Sequence, residues 1–363
     1  MLVVAITLRA RYGGGDAFPD RSTPARFDDR ALEVVASVDE PIGNVAVSAD
    51  GRLFFTIHPE SRPTGPKLLE WVDGEAAPFP SEEAQERLFD TVLGVAIDSR
   101  GRLWTIDHGN HGTADARLLA FDLDTREVVH DHIFAEDVAE LGSFLQDLQV
   151  DADRGRVYIA DVSFWRKNPG IVVYDLETGR ARRTLDSHPS VVPEDWIIQN
   201  PIKDMVFFGG LVALKAGVDG IALSRDGEWV YYAAMNHDAL YRVPSAALSD
   251  PTLSPEKLAA RVEEVGKKPI NDGLSTDDDG NVLITDVEHG GVARMSPDGA
   301  LETLIASDRI RWADALSFGP GGWLYIADSA IPDQMLRSKA HIAARAPYYI
   351  YRFKPGVAGA PGQ

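Results

Sequence analysis

Cysteine is absent from the 363 residues of the chain. Its absence excludes disulfide cross-links, thiolate metal sites and a cysteine nucleophile, and it favours the reducing cytoplasm over secretion or the periplasm. Long apolar runs are also lacking, because no stretch approaches the roughly 20 residues that a membrane-spanning helix needs. We therefore expect a soluble protein without a membrane span.

Positive charge is scarce as well. Lys and Arg number 36 against 56 Asp and Glu, which gives a net charge of −20. So acidic a surface repels phosphate backbones and excludes nucleic acid as a partner. The 44% hydrophobic and 25% charged residues are ordinary for a globular protein, so general disorder is excluded. No sequence pattern indicates an oligomeric state.

An internal repeat of about 50 residues dominates the chain. Each copy is a β-hairpin, in which two runs of alternating apolar residues flank a turn rich in Asp and Gly. The six copies begin at Val45, Val95, Leu148, Ile221, Leu274 and Leu316. Further hairpins follow several copies, which gives four strands per unit. The repeat therefore predicts an all-β fold, a six-bladed β-propeller with four-stranded blades.

The two ends of the chain are needed to close such a ring. Residues 32–37 and 348–354 are strand-like, and we expect them to share the sixth blade. Residues 1–27 are expected to be an N-terminal lead made of loop, residues 28–355 the propeller, and residues 356–363 a flexible tail. Residues 187–217 are too long for a hairpin connection, so they predict a lid over the channel mouth with Trp196 or Phe207 near the cavity.

Acidic residues precede the inner strand in three consecutive blades, at Asp219, Asp272 and Asp314. These positions share one face of the ring, so their carboxylates converge and need a cation, a bound proton or a cationic ligand. Oxygen donors alone, with the adjacent amide of Asn271, predict a Ca²⁺ or Mg²⁺ site. Aspartates at the ends of second strands are instead predicted to cap turns: Asp107, Asp161, Asp286 and Asp328.

Other polar and aromatic residues fall near the same face. The candidate substrate-binding residues are Asn44, Asp147, Trp165, Trp196, Asn236, His237, Glu288 and Trp312. Acidic groups beside aromatic rings suit a small cationic or aromatic ligand. His237 is equally compatible with a polar loop position, and each aromatic residue with core packing.

Several segments together resemble the Yellow/major royal jelly protein family, in its bacterial branch. They include LGVAIDSRGRLWTID, LQDLQVDADRGRVYIAD, KKPINDGLSTDDDGNVLITD and PYYIYRFKP. The resemblance implies a six-bladed propeller, and some insect members of the family bind small amines. A wider similarity to the gluconolactonase/regucalcin superfamily aligns its Asn-Gly-Leu element with Asp219-Gly220-Ile221 and its Asp-Gly-Leu element with Asp272-Gly273-Leu274.

That wider similarity implies a divalent cation at the channel mouth and a proton-transfer role for Asp272. The superfamily's first-blade Glu ligand falls on Gly43 here, with Asn44 adjacent. Two functional hypotheses follow. The first is a metal-assisted hydrolase of a lactone or similar ester with Asp272 as the catalytic residue. The alternative is a non-catalytic protein that binds a small cationic or aromatic ligand, and an interaction scaffold is a third, weaker possibility.

Overall fold

The computed structural model describes residues 2–363, with side chains described from residue 5 onward. Six four-stranded antiparallel sheets form the blades of a β-propeller, as predicted. From the channel outward, blade one contains Ile42–Val47, Leu53–Ile57, Leu68–Val72 and Glu75–Pro78. Blade two contains Val92–Ile97, Arg102–Asp107, Arg117–Asp122 and Val128–Ile133. Blade three contains Leu145–Asp151, Arg156–Asp161, Gly170–Asp175 and Arg180–Thr184.

The remaining blades complete the ring. Blade four contains Val218–Leu223, Trp229–Ala234, Ala239–Pro244 and Glu263–Lys267. Blade five contains Leu274–Thr276, Val282–Asp286, Gly291–Met295 and Leu301–Ala306. Blade six contains Ala313–Gly319, Trp323–Asp328 and Tyr348–Phe353, with Glu33–Val38 as its outermost strand. Glu33–Val38 pairs with Tyr348–Phe353 from Glu33 opposite Arg352, so the predicted closure of the ring by both ends of the chain is confirmed.

Apolar side chains between adjacent blades form the core. Trp104 and Leu118 of blade two, for example, are buried against Leu148 and Val157 of blade three. The second strands are buried on both faces, because each blade packs against a neighbour on either side, so their sequences are nearly continuous apolar runs rather than strict alternations. The blades are therefore rigid supports for the loops at their ends.

Helices are short and confined to connections. The α-helical segments are Leu2–Tyr12, Glu82–Leu88, Gly109–Gly112, Ser245–Ser249, Pro255–Ala259, Ile331–Gln334 and Lys339–Ala344. The 3₁₀ segments are Asp29–Ala31, Pro59–Ser61, Phe208–Gly210 and Pro320–Gly322. None of the helices formed by the described residues is long and apolar enough to cross a membrane.

The N-terminal lead differs from the expected loop, because Leu2–Tyr12 is helical. No Pro or Gly interrupts those residues, and the helix docks on loops of the propeller. The Arg9 guanidinium donates to the Gly210 carbonyl (3.0 Å), and the Tyr12 hydroxyl donates to the Trp165 carbonyl (2.8 Å). Met1 lies outside the described residues.

Residues 187–217, the insertion between blades three and four, form short ladders. The paired segments are Trp196–Ile197 with Asp16–Ala17, Gln199–Asn200 with Lys203–Asp204, and Val206–Phe207 with Val212–Ala213. Ile198, Met205 and Leu214 of the insertion are buried together with Trp312 and Ile331. The insertion therefore packs on the face of the propeller where the inner strands begin.

The C-terminal tail is not free, contrary to the flexible segment expected for residues 356–363. It lies against the other end of the inner strands, where the Gly362 carbonyl accepts from the Ile97 amide (2.9 Å) and the Gln363 carbonyl accepts from the Phe318 amide (3.0 Å). Gly359 bridges to Asp277 in the same region. Small residues permit this close approach, because a Cβ on Gly359 would lie 2.3 Å from the Phe318 ring.

We predict that Ile350→Ala lowers the free energy of unfolding by about 3 kcal/mol, because it opens a cavity in the closing blade. Ile350 is fully buried and pairs with Ala36 of the N-terminal strand. The control is Val34→Ala in that N-terminal strand, where the side chain is 48% exposed and the loss should stay within about 0.5 kcal/mol. Urea unfolding measures both. Equal losses would contradict a closing blade that stabilises the ring.

Candidate active site

The inner strands begin with an irregularity that turns side chains toward the channel mouth. In five blades the register with the second strand shifts there, between Ile42 and Val45, Val92 and Val95, Leu145 and Leu148, Val218 and Gly220, and Ala313 and Leu316. A β-bulge releases residues from the ladder and re-aims their side chains. In blade five the equivalent residues directly precede Leu274–Thr276. Equivalent positions of all six blades therefore meet at one end of the channel.

Two glycines allow successive bulges to approach each other closely. A Cβ on Gly220 would lie 2.5 Å from the Asp272 carbonyl oxygen, and one on Gly273 would lie 2.4 Å from the Asp314 carbonyl oxygen. No other residue type fits at such distances from backbone. The glycines after Asp219 and Asp272 therefore permit the contacts that bring the side chains of Asp219, Asp272 and Asp314 together.

A cavity of about 800 Å³, its open mouth included, lies over Asp219 and Asp272. Its walls are apolar and include Phe144 of blade three and Phe207 and Leu214 of the insertion, whereas Asp219 and Asp272 contribute carboxylates. Apolar walls disfavour the charged form of a carboxyl group. The cavity thus combines space for a small molecule with acidic groups that hold protons.

Asp272 is held by two donors. Gln146 Nε2 donates to its Oδ1 (3.0 Å), and Trp312 Nε1 donates to its Oδ2 (2.7 Å). Burial raises the pKa of Asp272 to about 7, against the opposing effect of hydrogen bonds from Trp312 and Gln146. Burial, followed by the charges of Asp272 and Asp314, raises the pKa of Asp219 well above its usual range. Both carboxyl groups therefore hold protons more readily than exposed carboxyl groups, and of the two only Asp272 has hydrogen-bond donors that stabilise its charged form.

The donors expected to hold a cation carry buried oxygens without hydrogen-bond partners. They are both carboxyl oxygens of Asp219, Oδ2 of Asp314 and Oδ1 of Asn271. Burial, followed by the charge of Asp272, raises the pKa of Asp314 well above its usual range. This donor set fits the chemistry of Ca²⁺ or Mg²⁺, which prefer oxygen ligands. Both oxygens of Asp272, in contrast, already accept from Gln146 and Trp312.

A different cluster of side chains has ligand atoms that are close enough together to hold one ion. Ligand atoms of Glu194, His237 and Asp238 lie within 4.8 Å of one another, and within the described residues no comparable group includes Asp219, Asp272 and Asp314. Asp238 accepts from Lys267 Nζ (3.0 Å) and from an Arg21 guanidinium nitrogen (3.2 Å). These cations already balance the carboxylates, so the group is an ion-pair network. The three aspartates would have to move closer together to share an ion.

Asn44 and Asp147, predicted as substrate contacts, lie outside the main cavity. Both line a smaller cavity further along the channel, together with Gln149 and Gln363. Asn44 Nδ2 is 3.5 Å from Asp147 Oδ1, and burial raises the pKa of Asp147 to about 7. The difference arises because each is the second residue of its bulge and points along the channel axis rather than toward the mouth.

The three candidate tryptophans occupy different places. Trp312 is fully buried and, like the 46% exposed Trp165, lines the cavity. Trp196 instead packs edge-on against Phe18 at a ring-centroid distance of 5.5 Å, and its indole donates to Glu194. Trp196 therefore fixes the insertion to the N-terminal segment, whereas Phe207 lines the cavity from the insertion.

Asn236, His237 and Glu288 do not line the cavity, which differs from their expected role in substrate binding. Asn236 accepts from the Ala216 amide (2.9 Å) and donates to the carbonyls of Trp196 and Leu214. Glu288 accepts from the amide of Gln199 (2.6 Å), and His237 Nδ1 accepts from the Ala239 amide (3.1 Å). Their polar atoms anchor backbone: Asn236 and Glu288 hold the insertion, and His237 holds the first residue of the third strand of blade four.

The cavity also contains groups outside the predicted set. Gln146, His58, Glu60 and His111 line it, and His58 Nε2 is 3.8 Å from Asp314 Oδ2. Burial lowers the pKa of His58 to about 4. His58 and His108 stand just beyond second strands, at positions equivalent to each other in the repeat. Glu60 has no comparable signal, because it lies in a connection whose path the repeat does not define.

The predicted capping aspartates are confirmed. Asp107 accepts from the amides of Asp90 and Thr91, and Asp328 accepts from the amides of Arg311 and Trp312. The same type of contact recurs at Asp161 and Asp286, which accept from the Phe144 and Glu288 amides respectively. These four residues support the loops around the cavity.

Comparison with known proteins identifies relatives in sequence and in fold. The family profile described as Major royal jelly protein matches residues 90–304. Major royal jelly protein 3 of Apis mellifera is 27% identical over 173 residues, which are 44% of this chain and 30% of that protein. The chain thus aligns with about a third of that curated relative.

Solved structures share the propeller at low sequence identity. A gluconolactonase from Xanthomonas campestris superposes with a TM-score of 0.57 at 15% identity, covering 94% of this chain and 98% of that one. Regucalcin from Agrobacterium tumefaciens, described as a calcium-binding protein, gives 0.55 at 14% identity, covering 91% and 98%. A luciferin-regenerating enzyme gives 0.58 at 11% identity, covering 92% and 98%. These similarities show the fold.

We predict that Asp219→Asn stabilises the metal-free protein at pH 7.5 by about 1–3 kcal/mol, because the neutral amide avoids the cost of ionising a buried carboxyl group without partners. The pKa of Asp219 in the folded protein is well above its ordinary value of 3.8. Stability from such a group is complete below that value and is lost as the pH rises through the folded pKa. The gain should therefore be smaller at pH 4.5 than at pH 7.5.

Urea unfolding at both pH values measures the effect, with Asp29→Asn as a control because Asp29 is exposed. A gain that is the same at both pH values, or a loss at pH 7.5, would show that the buried charge of Asp219 is not the source of instability.

Proposed function

The chain belongs to the major royal jelly protein family, and from its cavity we propose that it hydrolyses a lactone or a similar ester at the channel mouth. One observation carries the proposal. Asp272 is buried at an apolar cavity, is held by Gln146 and Trp312, and has a pKa of about 7. A general base is most effective when its pKa is close to the working pH.

Asp272 is proposed to accept the proton of a water molecule as that water attacks the ester carbonyl. Gln146 and Trp312 hold both oxygens of Asp272, so the base does not have to reorganise during the reaction. The neighbouring Asp219 has no such donors, so Asp272 is the carboxyl group of the two whose charged form is stabilised. Phe144 and Phe207 contribute to apolar walls that hold the carbon skeleton of the substrate and exclude bulk water.

Asp219, Asp314 and Asn271 would hold a divalent cation, and their unpartnered oxygens support this assignment. When bound, such an ion polarises a carbonyl oxygen and lowers the pKa of a coordinated water. Because Asp219 and Asp314 take up protons readily when buried, protons and the cation compete for the same oxygens. Cation affinity is therefore expected to rise with pH.

The similar solved structures suggest which compounds to test first. A gluconolactonase and a calcium-binding protein share the fold at 15% and 14% identity. At that distance the activity of either protein remains a property of that protein. Lactones and Ca²⁺ are therefore starting points for a screen that also includes simple esters and Mg²⁺.

We predict that Asp272→Asn lowers kcat for lactone or ester hydrolysis at least about 100-fold, because it removes the base. KM should change little, since the walls of the cavity are intact. Asp153→Asn serves as the control, because Asp153 is exposed on a turn of blade three. Steady-state hydrolysis, monitored by pH-stat, gives both constants. Retention of kcat in Asp272→Asn would refute this mechanism.

A second function is supported by a separate feature of the cavity. The carboxyl oxygens of Asp219 lack partners, and Phe144, Phe207 and Trp312 lie among the surrounding walls. An organic cation with an aromatic ring would satisfy the carboxyl groups and pack against those walls. The protein would then bind such a ligand without turning it over.

Titration calorimetry separates the two functions, with phenethylamine and the uncharged 2-phenylethanol as the probes. If the cavity binds amines, the protein treated with a chelator should bind phenethylamine at least about 10-fold more tightly than 2-phenylethanol. Asp219→Asn should remove this preference. If the site belongs to a hydrolase that uses a cation, Ca²⁺ or Mg²⁺ should bind the chelated protein and weaken amine binding. Absence of amine preference together with hydrolysis excludes the second function.

A further inference from the structure

The mouth of the cavity is lined by exposed apolar side chains. Of the 20 described residues in the cavity wall, 14 carry apolar side chains. The carboxyl groups of Asp219 and Asp272 are buried. The most exposed residues of the wall are Trp165, Phe208 and Leu336, at 46%, 65% and 57%. Apolar side chains that are exposed together around a cavity mark a surface for an apolar ligand.

Two of these exposed residues also have a strained backbone. The φ angles of Phe208 and Leu336 are 52° and 58°, in the left-handed region that bulky side chains disfavour. Among the described residues other than glycine with a positive φ, they are the only large apolar residues that are exposed. Such strain persists only where the surroundings enforce it, and it is concentrated at ligand-binding sites. A ligand that covers both side chains would remove the cost of their exposure to water.

Hydrogen bonds hold the residues of the mouth in place. Arg9 of the N-terminal helix donates to the carbonyl group two residues after Phe208 (3.0 Å), and Tyr12 of the same helix donates to the Trp165 carbonyl (2.8 Å). Two backbone hydrogen bonds, each 3.0 Å long, close the turn on either side of Leu336. The apolar mouth is therefore already formed before a ligand binds, which lowers the entropic cost of binding.

The polar side chains of the wall mostly bind one another. Both oxygens of Asp272 accept from protein donors, and Glu60 Oε1 lies 3.0 Å from His111 Nε2. His58 Nδ1 accepts from the Glu60 amide (3.1 Å), whereas the carboxyl oxygens of Asp219 remain without partners. A substrate with several hydroxyl groups, such as a sugar lactone, would lose water from each of them and find few partners in this wall.

Apolar side chains continue from the mouth to the buried carboxyl groups. Phe207 and Met335 of the wall are half-buried, and Leu214 and Met235 are buried. Burial of hydrocarbon against such side chains is favourable in proportion to the apolar area removed from water. The cavity therefore offers an apolar surface with carboxyl groups at its inner end.

We propose that the substrate of this site is a lactone or ester that carries a hydrocarbon chain, rather than a sugar lactone. This inference rests on the proposed hydrolase function and names its substrate class. The carbonyl group lies at Asp272, and the chain lies along the apolar wall with its end at Phe208 and Leu336. Hydrolysis consumes one water, breaks the bond between the carbonyl carbon and the ring oxygen, and gives a hydroxy acid that keeps the chain.

Three lactones with the same six-membered ring test the substrate class: δ-hexalactone, δ-decalactone and glucono-1,5-lactone. δ-Decalactone has four more methylene groups than δ-hexalactone, and each buried methylene strengthens binding up to about 4-fold. We expect kcat/KM for δ-decalactone to be at least about 30-fold higher than for either other lactone. The gain should appear mainly in KM, because the chain is held equally before and during the reaction. The rates are measured by pH-stat and corrected for spontaneous hydrolysis.

The double variant Phe208→Asn with Leu336→Asn tests the place of the chain. Asn tolerates the left-handed conformation, so the melting temperature should not fall. KM for δ-decalactone should rise at least about 10-fold, and the loss should shrink to less than about 2-fold for δ-hexalactone, whose methyl group is too short to reach the mouth. The matched control is Ile133→Asn, at a 52% exposed apolar residue on the outer strand of blade two, which should leave the chain preference unchanged.

Titration calorimetry with Asp272→Asn measures the same preference without turnover, and δ-decalactone should bind at least about 30-fold more tightly than δ-hexalactone. Rates and affinities that do not rise with the chain, or a preference for glucono-1,5-lactone, would overturn this substrate class while leaving the hydrolase intact. A wild-type protein that cleaves neither lactones nor esters would overturn the proposed function, and with it this inference. A chain preference that survives in the double variant would overturn the roles of Phe208 and Leu336 alone.

Discussion

The close contact between bulges of neighbouring blades determines most of what this structure places at its channel mouth. Gly220 and Gly273 let the backbone of one blade meet the carbonyl group of the next, at Asp272 and Asp314. With a side chain there, the inner strands would have to separate, and the aspartates would move apart. The pKa shifts and the unpartnered oxygens both depend on this backbone contact.

The insertion adds the second condition, which is an apolar cover. Carboxyl groups at an open channel would be hydrated and ionised, and their mutual repulsion would be screened by water. Phe207 and Leu214 help to form a wall that limits hydration, so burial becomes the main cause of the raised pKa values of Asp219 and Asp272. The ring therefore sets the positions of the carboxyl groups, and the insertion raises their pKa values by burying them.

The repeat made the propeller, its closure and the aspartates at the heads of inner strands predictable from the sequence. Apolar runs and turns that contain Asp, Gly or both are local signals, and they recur in every blade. The uses of Asn236 and Glu288 were not predictable, because their partners are the backbone amides of Ala216 and Gln199 in a segment without periodicity. The same holds for the helix Leu2–Tyr12, whose docking surface belongs to distant loops.

The position of His111 could not be predicted from the sequence for a different reason. A Gly-Asn-His-Gly segment indicates a turn, but its handedness depends on the carbonyl groups of Ala114 and Glu140, which crowd the two glycines. Handedness decides whether the imidazole enters the cavity or faces solvent. Its partner Glu60 comes from the preceding blade, so the pair is created only when the ring assembles. Contacts between side chains of different blades leave no characteristic spacing in the sequence from which they could be predicted.

The segment Gly359–Gln363 lies across the far end of the inner strands, and this position limits how a small molecule can pass through the channel. A propeller channel that is open at both ends would allow one compound to enter while another departs. Here Gly362 and Gln363 lie between the strands of blades two and six at the far end, so the cavity beneath the insertion has no second opening there. A compound that enters the cavity must therefore leave through the same opening, which exposed aromatic side chains, including Trp165 and Phe208, help to line.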